Sequence, residues 1–397
     1  RLPHRARALE VMRMPETAVR IAGWRLILPA QARWGVAGKM TGNGGIGTLL
    51  KRMRALRMAL SRNFVLAIGF LGLSTASFSA LAAPPFACTN GQYPLRFGFY
   101  AHFAPVSHSA NRMPGSAGFN VHRGYEADLL SALEAIKGAK LSFSRRAIAA
   151  WDNIWLLPAG SEFDIVGGGI TILESRTRNV DGNTAIVFTA GHIAFRQSLL
   201  VRAEDAARLA RHRNLSGTDR VGALAGTTGE ARLLELIGIA ASTGVLAAGT
   251  RVVTQQGTVV ADGGAKYVIN AAGASRSLEG RQQIWPESAN LPTVVIFADE
   301  AEMVKQLTVG RIDAIARGEA GNRTAVRDHG STFAVTALDT RAETGGFALA
   351  TTNAGLAACL DRHIGWLTDG GRIGLKEWLD DASVFMARAR QRTEDAR

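Results

Sequence analysis

Two strand-like runs in this chain each end in a glycine-bearing turn, and that pairing constrains the fold more than any other feature. Phe163–Val166 runs into Gly167, Gly168 and Gly169, then Ile170, Thr171 and Ile172, with Arg176 shortly after. Arg220–Leu224 runs into Gly226, Thr227, Thr228, Gly229 and Glu230, which open a helix reaching about Ile237. Strands that hand over to helices through such turns belong to α/β layers built on a mainly parallel sheet. In open sheets of that kind ligands bind at the carboxyl edge. Two such units in one chain predict two lobes with a cleft between them.

The flanking pattern supports this alternation. Leu95–Tyr100 reads as a strand, and Tyr125–Ile136 as a helix with Leu129, Leu130, Leu133 and Ile136 on one face. Lys140–Ser144 alternates as a second strand. In the second half, Ser198–Arg202 reads as a strand and Glu204–His212 as a short helix. Val294–Phe297, Asp299–Val309 and Arg311–Ala316 follow as strand, helix and strand. Phe347–Thr351 is a last strand before helices near Leu356–Thr368 and Ile373–Arg392. Thr243–Tyr267 shows no clear period, and residues 272–293 read as a long surface excursion.

The turns suggest anion chemistry. Glycines strip side chains from a strand end, so backbone N–H groups can approach a bound group. Arg176 can fork onto a carboxylate through two parallel bonds. The Gly226–Glu230 turn offers free N–H groups and two hydroxyls at a helix start, either an anion cradle or ordinary capping by Thr227 or Thr228. The bland reading of Arg176 is a surface arginine. Neither GxGxxG nor a P-loop occurs, so nucleotide binding is unsupported. There is no metal-ligand spacing and no GxSxG elbow, and neither a metal nor another cofactor is expected. Trp151 and Trp155 lie four apart, as core residues on one helical face would. His102 and His192 are candidates to line the cleft.

The formal charge of +13 would suit a nucleic-acid binder, but its distribution argues otherwise. Residues 1–82 carry 13 lysines and arginines against 2 acidic residues, and the other 315 residues carry 33 against 31. Lys51, Arg52, Arg54, Arg57 and Arg62 lead into an apolar run from Phe64 to about Leu73, then small residues through Ala80, Ala82 and Ala83. That is an export signal spanning residues 58–83, cleaved near Ala82 or Ala83. Its apolar run is short against the roughly 20 residues of a membrane-spanning helix. Residues 1–57 then read as an upstream extension, with translation from Met58 or Met53. Cys88 and Cys359 remain after cleavage, and an oxidising compartment permits a disulfide between them or two unpaired thiols.

With these segments in place the chain resembles the type 2 periplasmic solute-binding proteins that feed amino-acid ABC transporters. The matching stretches are LRFGFYAHFAPVS, GYEADLLSALEAI, AWDNIWLLPAGSEFDIVGGGIT with Arg176 following, FTAGHIAFRQSLLVR, VGALAGTTGE and FADEAEMVKQLTVGRIDAI. They run in order from Leu95 through most of the remaining chain.

The resemblance implies a two-lobed fold in which each lobe is a mainly parallel sheet flanked by helices, joined by two crossing hinge strands. Residues 84–195 with 346–397 would form one lobe and 196–345 the other. It implies that Phe103 packs on the solute, that Thr171 and Arg176 grip its α-carboxylate, and that Thr227 and Thr228 join from the second lobe. Glu319 is the nearest candidate for the ammonium. The implied partners are a small carboxylate-bearing solute, an amino acid or derivative, and an inner-membrane ABC permease. The protein would work as a periplasmic monomer, without nucleic acid.

This chain departs from the family's pattern at three places. Leu173 replaces a hydroxyl residue, Val106 replaces a second aromatic, and Glu319 lies one position beyond the usual acid. The expected function is non-catalytic capture. Two alternatives remain: an enzyme similar to periplasmic cyclohexadienyl and arogenate dehydratases, with Glu230 as general acid, or a ligand-sensing two-lobed domain without a transporter.

Overall fold

The computed structural model describes residues 86–395. The upstream extension (1–57) and the export signal (58–83) lie outside the described residues.

The first sheet is built around its first strand. Strands β1 (Leu95–Tyr100), β2 (His102–Phe103), β3 (Ser107–Ser109) and β4 (His122–Arg123) precede helix α1 (Tyr125–Ala135). Strands β5 (Phe143–Ile148), β6 (Ile165–Gly167) and β7 (Ile186–Phe188) follow. β1 lies between β5 and β6, parallel to both. Phe97 and Phe99 on β1 are fully buried, as are Leu129 and Leu133 on α1.

Strand β8 (Ile193–Arg202) then carries the chain into the second sheet. There β9 (Arg220–Leu224) is followed by α2 (Thr228–Leu236), β10 (Arg251–Thr254), β11 (Gly257–Val260), β12 (Ile269–Asn270), β13 (Gly273–Ala274) and β14 (Arg281–Trp285). Next come β15 (Thr293–Phe297), α3 (Glu300–Thr308), β16 (Ala314–Gly318), α4 (Glu319–His329) and β17 (Phe333–Thr336). β18 (Ala342–Gly345) and β19 (Ala348–Ala350) return the chain to the first sheet, and α5 (Ala354–Leu367), α6 (Leu375–Asp380) and α7 (Val384–Asp395) close it.

The two sheets share one plan. The first has the order β5-β1-β6-β19-β7, and the second contains β15-β9-β16-β8-β17. In each, the first strand sits between parallel neighbours, and a strand arriving from the other sheet inserts antiparallel. β8 and β18 pair with each other at the crossing, Ile193 opposite Gly345 and Arg196 opposite Ala342. This is the two-lobed α/β architecture with crossing strands. The lobes also meet through apolar side chains, for Phe97 and Phe103 of the first, Leu224 and Met303 of the second and Phe195 of the crossing strand β8 share one buried cluster.

Several elements differ from the sequence reading, each for a local reason. The stretch 272–293 is not a loose excursion: β14 lies between β10 and β15, with Ile284 fully buried. Glu204–His212 forms only short 3₁₀ turns, since Leu209 is the one buried side chain there. The strand placed at Lys140–Ser144 is β5, three residues later, and includes Arg145, which reaches back to Glu134 of α1. The strand placed at Arg311–Ala316 is β16, so Arg317 and Gly318 belong to it and Glu319 begins α4. Cys88 and Cys359 form a disulfide.

Candidate functional site

The triple glycine makes room for rings of the protein itself. Gly168 has φ +138°, and a Cβ there would stand 2.4 Å from the Tyr100 Cβ. Gly169 has φ +69°, and a Cβ there would stand 2.6 Å from the Phe103 ring. Its N–H donates to Glu126 Oε1 at 2.9 Å, and the same oxygen meets His192 Nε2 at 3.1 Å. The glycines therefore admit Tyr100 and Phe103 to the cleft, and the Gly169 N–H is committed to Glu126. His192 belongs to this buried pair and not to a cleft wall.

Arg176 lies where the two lobes meet and is fully buried. Its Nη1 donates to the Thr171 carbonyl at 3.2 Å, its Nη2 to the Gly226 carbonyl at 3.3 Å and its Nε to the Ala271 carbonyl at 2.9 Å. Its guanidinium carbon stands 4.3 Å from the Trp155 ring centroid and 5.5 Å from that of Trp151. Trp151 Nε1 donates to the same Gly226 carbonyl at 3.0 Å. Burial pulls Arg176 down to about 9, opposed by the Glu343 carboxylate, so it remains cationic at neutral pH. Its hydrogen bonds go to carbonyls on both lobes, and Ala271, which supplies one of them, lies just before the 272–293 stretch.

The expected carboxylate cradle already holds a carboxylate of this chain. Thr171 Oγ1 donates to Glu343 Oε2 at 2.9 Å. Gln197 Nε2 donates to Glu343 Oε1 at 3.1 Å and to Thr228 Oγ1 at 2.9 Å. Because the Glu343 carboxylate accepts, the amide presents Nε2 to it, and Gln197 Oε1 is buried without a partner. Thr227 caps α2, its Oγ1 accepting from the Glu230 N–H at 3.2 Å and donating to the Leu224 carbonyl at 2.7 Å.

Of the cavities along the surface between the lobes, three border the expected site residues. The central one, about 50 Å³, is walled by Tyr100, Phe103, Trp151 and Phe195, with Thr171, Thr227, Thr228, Gln197, Glu300 and Arg317 supplying polar groups. A cavity of about 380 Å³ lies beyond Glu300 and Arg317 and reaches His102 and Arg112. Another, about 460 Å³, lies on the Glu343 side of Thr171 and Thr228. Each guanidinium nitrogen of Arg317 makes a bond, Nη1 to Glu300 Oε2 at 2.9 Å, Nε to Asn322 Oδ1 at 3.0 Å and Nη2 to the Gly321 carbonyl at 3.0 Å. Burial pushes Glu300 up from the ordinary carboxylate range against the pull of Arg317.

The structure thus brings Phe103, Thr171, Thr227 and Thr228 to one cavity and leaves Arg176 and Glu319 outside its lining. Glu319 pairs instead with Arg323 at 2.6 Å and lies 3.8 Å from Arg196. Glu230, weighed as a general acid, is fully buried, and Arg281 reaches its two oxygens at 2.6 and 2.5 Å. It also accepts the Gly226 N–H at 2.8 Å, so its oxygens face the protein and not a cavity. Sequence reasoning missed Tyr100, Phe195, Gln197, Glu300 and Arg317, and took Trp151 for core. Phe195 and Gln197 carried a usable signal, lying two apart on a crossing strand and so on one face. Among the described residues, one group of possible ligand atoms lies close enough for a metal: Cys88, Cys359 and His363, where both sulfurs are in the disulfide.

Comparison with solved structures finds likenesses over much of the chain. One is an amino acid ABC transporter substrate-binding protein from Streptococcus pneumoniae bound to L-arginine, at 15% identity, TM-score 0.49, covering 75% of this chain and 96% of that one. Another is holo ArgBP from T. maritima, at 16% identity, TM-score 0.46, covering 72% and 96%. A third is an ancestral amino-acid-binding protein, a precursor of cyclohexadienyl dehydratase, at 17% identity, TM-score 0.46, covering 75% and 94%. No family model matches the chain. No curated protein matches it either.

Proposed function

We propose that this chain is a non-catalytic solute-binding protein. It captures a small carboxylate-bearing solute, an amino acid or derivative, between its lobes in the periplasm and passes it to an inner-membrane ABC permease. The observation that carries this reading is the central cavity, to which both lobes contribute and whose lining includes Gln197, a buried side chain with its Oε1 left without a partner. Buried polar groups normally have partners, and an exception calls for a missing one. The solute carboxylate would sit at the start of α2, where Thr227, Thr228 and Gly229 line the cavity. Arg176 acts as a positioning residue: by holding the Thr171, Gly226 and Ala271 carbonyls it fixes the closed arrangement that surrounds the solute.

A cavity of about 50 Å³ is small beside the roughly 300–1,000 Å³ of common ligand sites. Entry therefore needs the lobes to part about the β8 and β18 crossing, a hinge motion. Among the described residues no helix is long and apolar enough to cross a membrane. Mass spectrometry of small molecules released by denaturing the purified protein tests the proposal. A carboxylate-bearing solute in near-stoichiometric amount is expected. Release of none, with no stabilisation across a thermal-shift screen of carboxylates, would sink it.

A further inference from the structure

We infer that Glu343 holds the protonated amine of the solute, in the cavity of about 460 Å³ on its side of Thr171 and Thr228; this rests on the solute-binding reading above.

The carboxylates along the interlobe surface point to Glu343 by their partners. Glu300, Asp328, Glu235 and Glu343 border the cavities described above. Glu300 meets Arg317 at 2.9 Å, Asp328 meets Arg327 at 3.5 Å and Glu235 meets Arg232 at 2.7 Å. Glu343 is 8% exposed, and among the described residues no cationic side chain forms an ion pair with it. Two neutral groups hold it, the Thr171 hydroxyl and the Gln197 amide. Its charge reaches Arg176, but the Arg176 nitrogens donate to the carbonyls of Thr171, Gly226 and Ala271. Buried charges are normally paired, and a carboxylate accepts about four hydrogen bonds, so Glu343 has charge and lone pairs left to satisfy. An ammonium group supplies both a positive charge and N–H donors.

The cavity beside Glu343 has the room that the central one lacks. Its volume of about 460 Å³ falls within the roughly 300–1,000 Å³ of common ligand sites. Thr171 and Ser175 line it from the first lobe, Thr228 and Asn270 from the second, and Glu343 from the crossing strand β18. Thr171 and Thr228 also border the central cavity, so a solute whose carboxylate sits at the start of α2 extends past them toward Glu343. The Gln197 amide bonds both Thr228 Oγ1 and Glu343 Oε1 and so sets the two ends of the site side by side. Of the arginines in the lining, Arg232 is taken up by Asp339 and Glu235, and Arg341 is exposed. Glu343 thereby takes the part expected of Glu319, which pairs with Arg323.

Mass spectrometry of the solute released on denaturation gives the first reading. An amine is expected in it, and a solute without one overturns the inference. Isothermal titration calorimetry on the full chain then compares each standard amino acid, and the released solute where it is none of these, with its deaminated carboxylate, as alanine with propanoate. The amine-bearing member of a pair is expected to bind at least about thirtyfold more tightly. Glu343→Gln keeps the shape and removes the charge, and is expected to erase most of that preference. Glu343→Asp keeps the charge and is expected to bind within roughly tenfold of the parent. Without solute, Glu343→Gln is expected to unfold at or above the parent's midpoint, because a buried charge without a cation is gone. The parent's own preference keeps the test decisive should Glu343→Gln not fold. Equal binding within each pair, or an unchanged preference in Glu343→Gln, would overturn the inference. A lowered midpoint with the preference intact would make Glu343 structural, which also overturns it. If deaminated carboxylates bind as well as their amines, the inference falls and the solute-binding reading stands. If no carboxylate binds and none is released on denaturation, both fall.

Discussion

The surface between the lobes has a closed end and an open end, and they differ in whether their polar groups are satisfied. At the closed end Arg176 meets three carbonyls and two tryptophan rings, while Glu230 meets Arg281 and the Gly226 N–H. At the open end Gln197 Oε1 has no partner and four rings enclose a small space. Buried charge that is fully hydrogen-bonded fixes a geometry, whereas buried capacity left unmet is what a ligand can complete. A motif residue can therefore lie at the right place in the fold and serve the framework, while neighbours without a motif form the site.

The sharpest way to break this comparison is at the closed end. Arg281→Ala leaves Glu230 a buried carboxylate without its partner, and loss of one member of such a pair costs about 3–5 kcal/mol. Chemical denaturation at neutral pH measures it. A cost under about 1 kcal/mol would show that water reaches Glu230 and that this end is not sealed.

Arg176→Ala is expected to come next, at roughly 2–4 kcal/mol, because three carbonyls lose a charged donor and water can reach some of them. Two of the carbonyls lie on the second lobe and one on the first. Small-angle scattering should therefore show a larger radius of gyration and calorimetry a weaker solute affinity. A variant as compact as the parent would remove Arg176 from the closure. By contrast, Gln197→Leu at the open end should change stability by no more than about 1 kcal/mol: it deletes two hydrogen bonds but also an unpartnered buried acceptor. It should still weaken solute binding, and a large loss of stability without loss of binding would reverse the assignment of the two ends.

Much of the framework was legible because period and punctuation agreed. The strand run of Leu95–Tyr100, the helical spacing after Tyr125, and the glycine turns after Phe163–Val166 and Arg220–Leu224 each marked an element by local physics. The site was less legible. Arg317 lay just past the strand read at Arg311–Ala316, and its engagement with Glu300 and Asn322 depends on α3 and α4 packing beside β16. Glu343, which takes the hydroxyl of Thr171, is 172 residues away in sequence. The 272–293 stretch hid β14 because Arg281, Gln282 and Gln283 are polar on a strand whose inward residue is Ile284, and Arg281 is polar for a buried purpose. Long-range pairing of charges leaves no periodic trace.

The smallest expected effect supplies a control outside the interlobe surface. Arg96 on β1 meets Asp164 at 2.6 Å, and the Arg96 side chain is half exposed. Pairs of this kind contribute roughly 0.2–1 kcal/mol, so Asp164→Asn should cost no more than that at neutral pH. Hydrogen bonding to Arg96 holds Asp164 below its ordinary value of 3.8 despite partial burial. Because the folded state binds that proton less readily than the unfolded chain, the stabilisation is present above 3.8 and is lost as pH falls through the lowered value. Denaturation curves of parent and variant should therefore differ slightly at pH 7 and converge in acid, and the difference at pH 7 should shrink with added salt. A gap that persists in acid would mean Asp164 acts through packing and not charge. A loss as large as that of Arg281→Ala would mean surface and interlobe pairs are not distinct in kind, which removes the basis for separating a closed end from an open one.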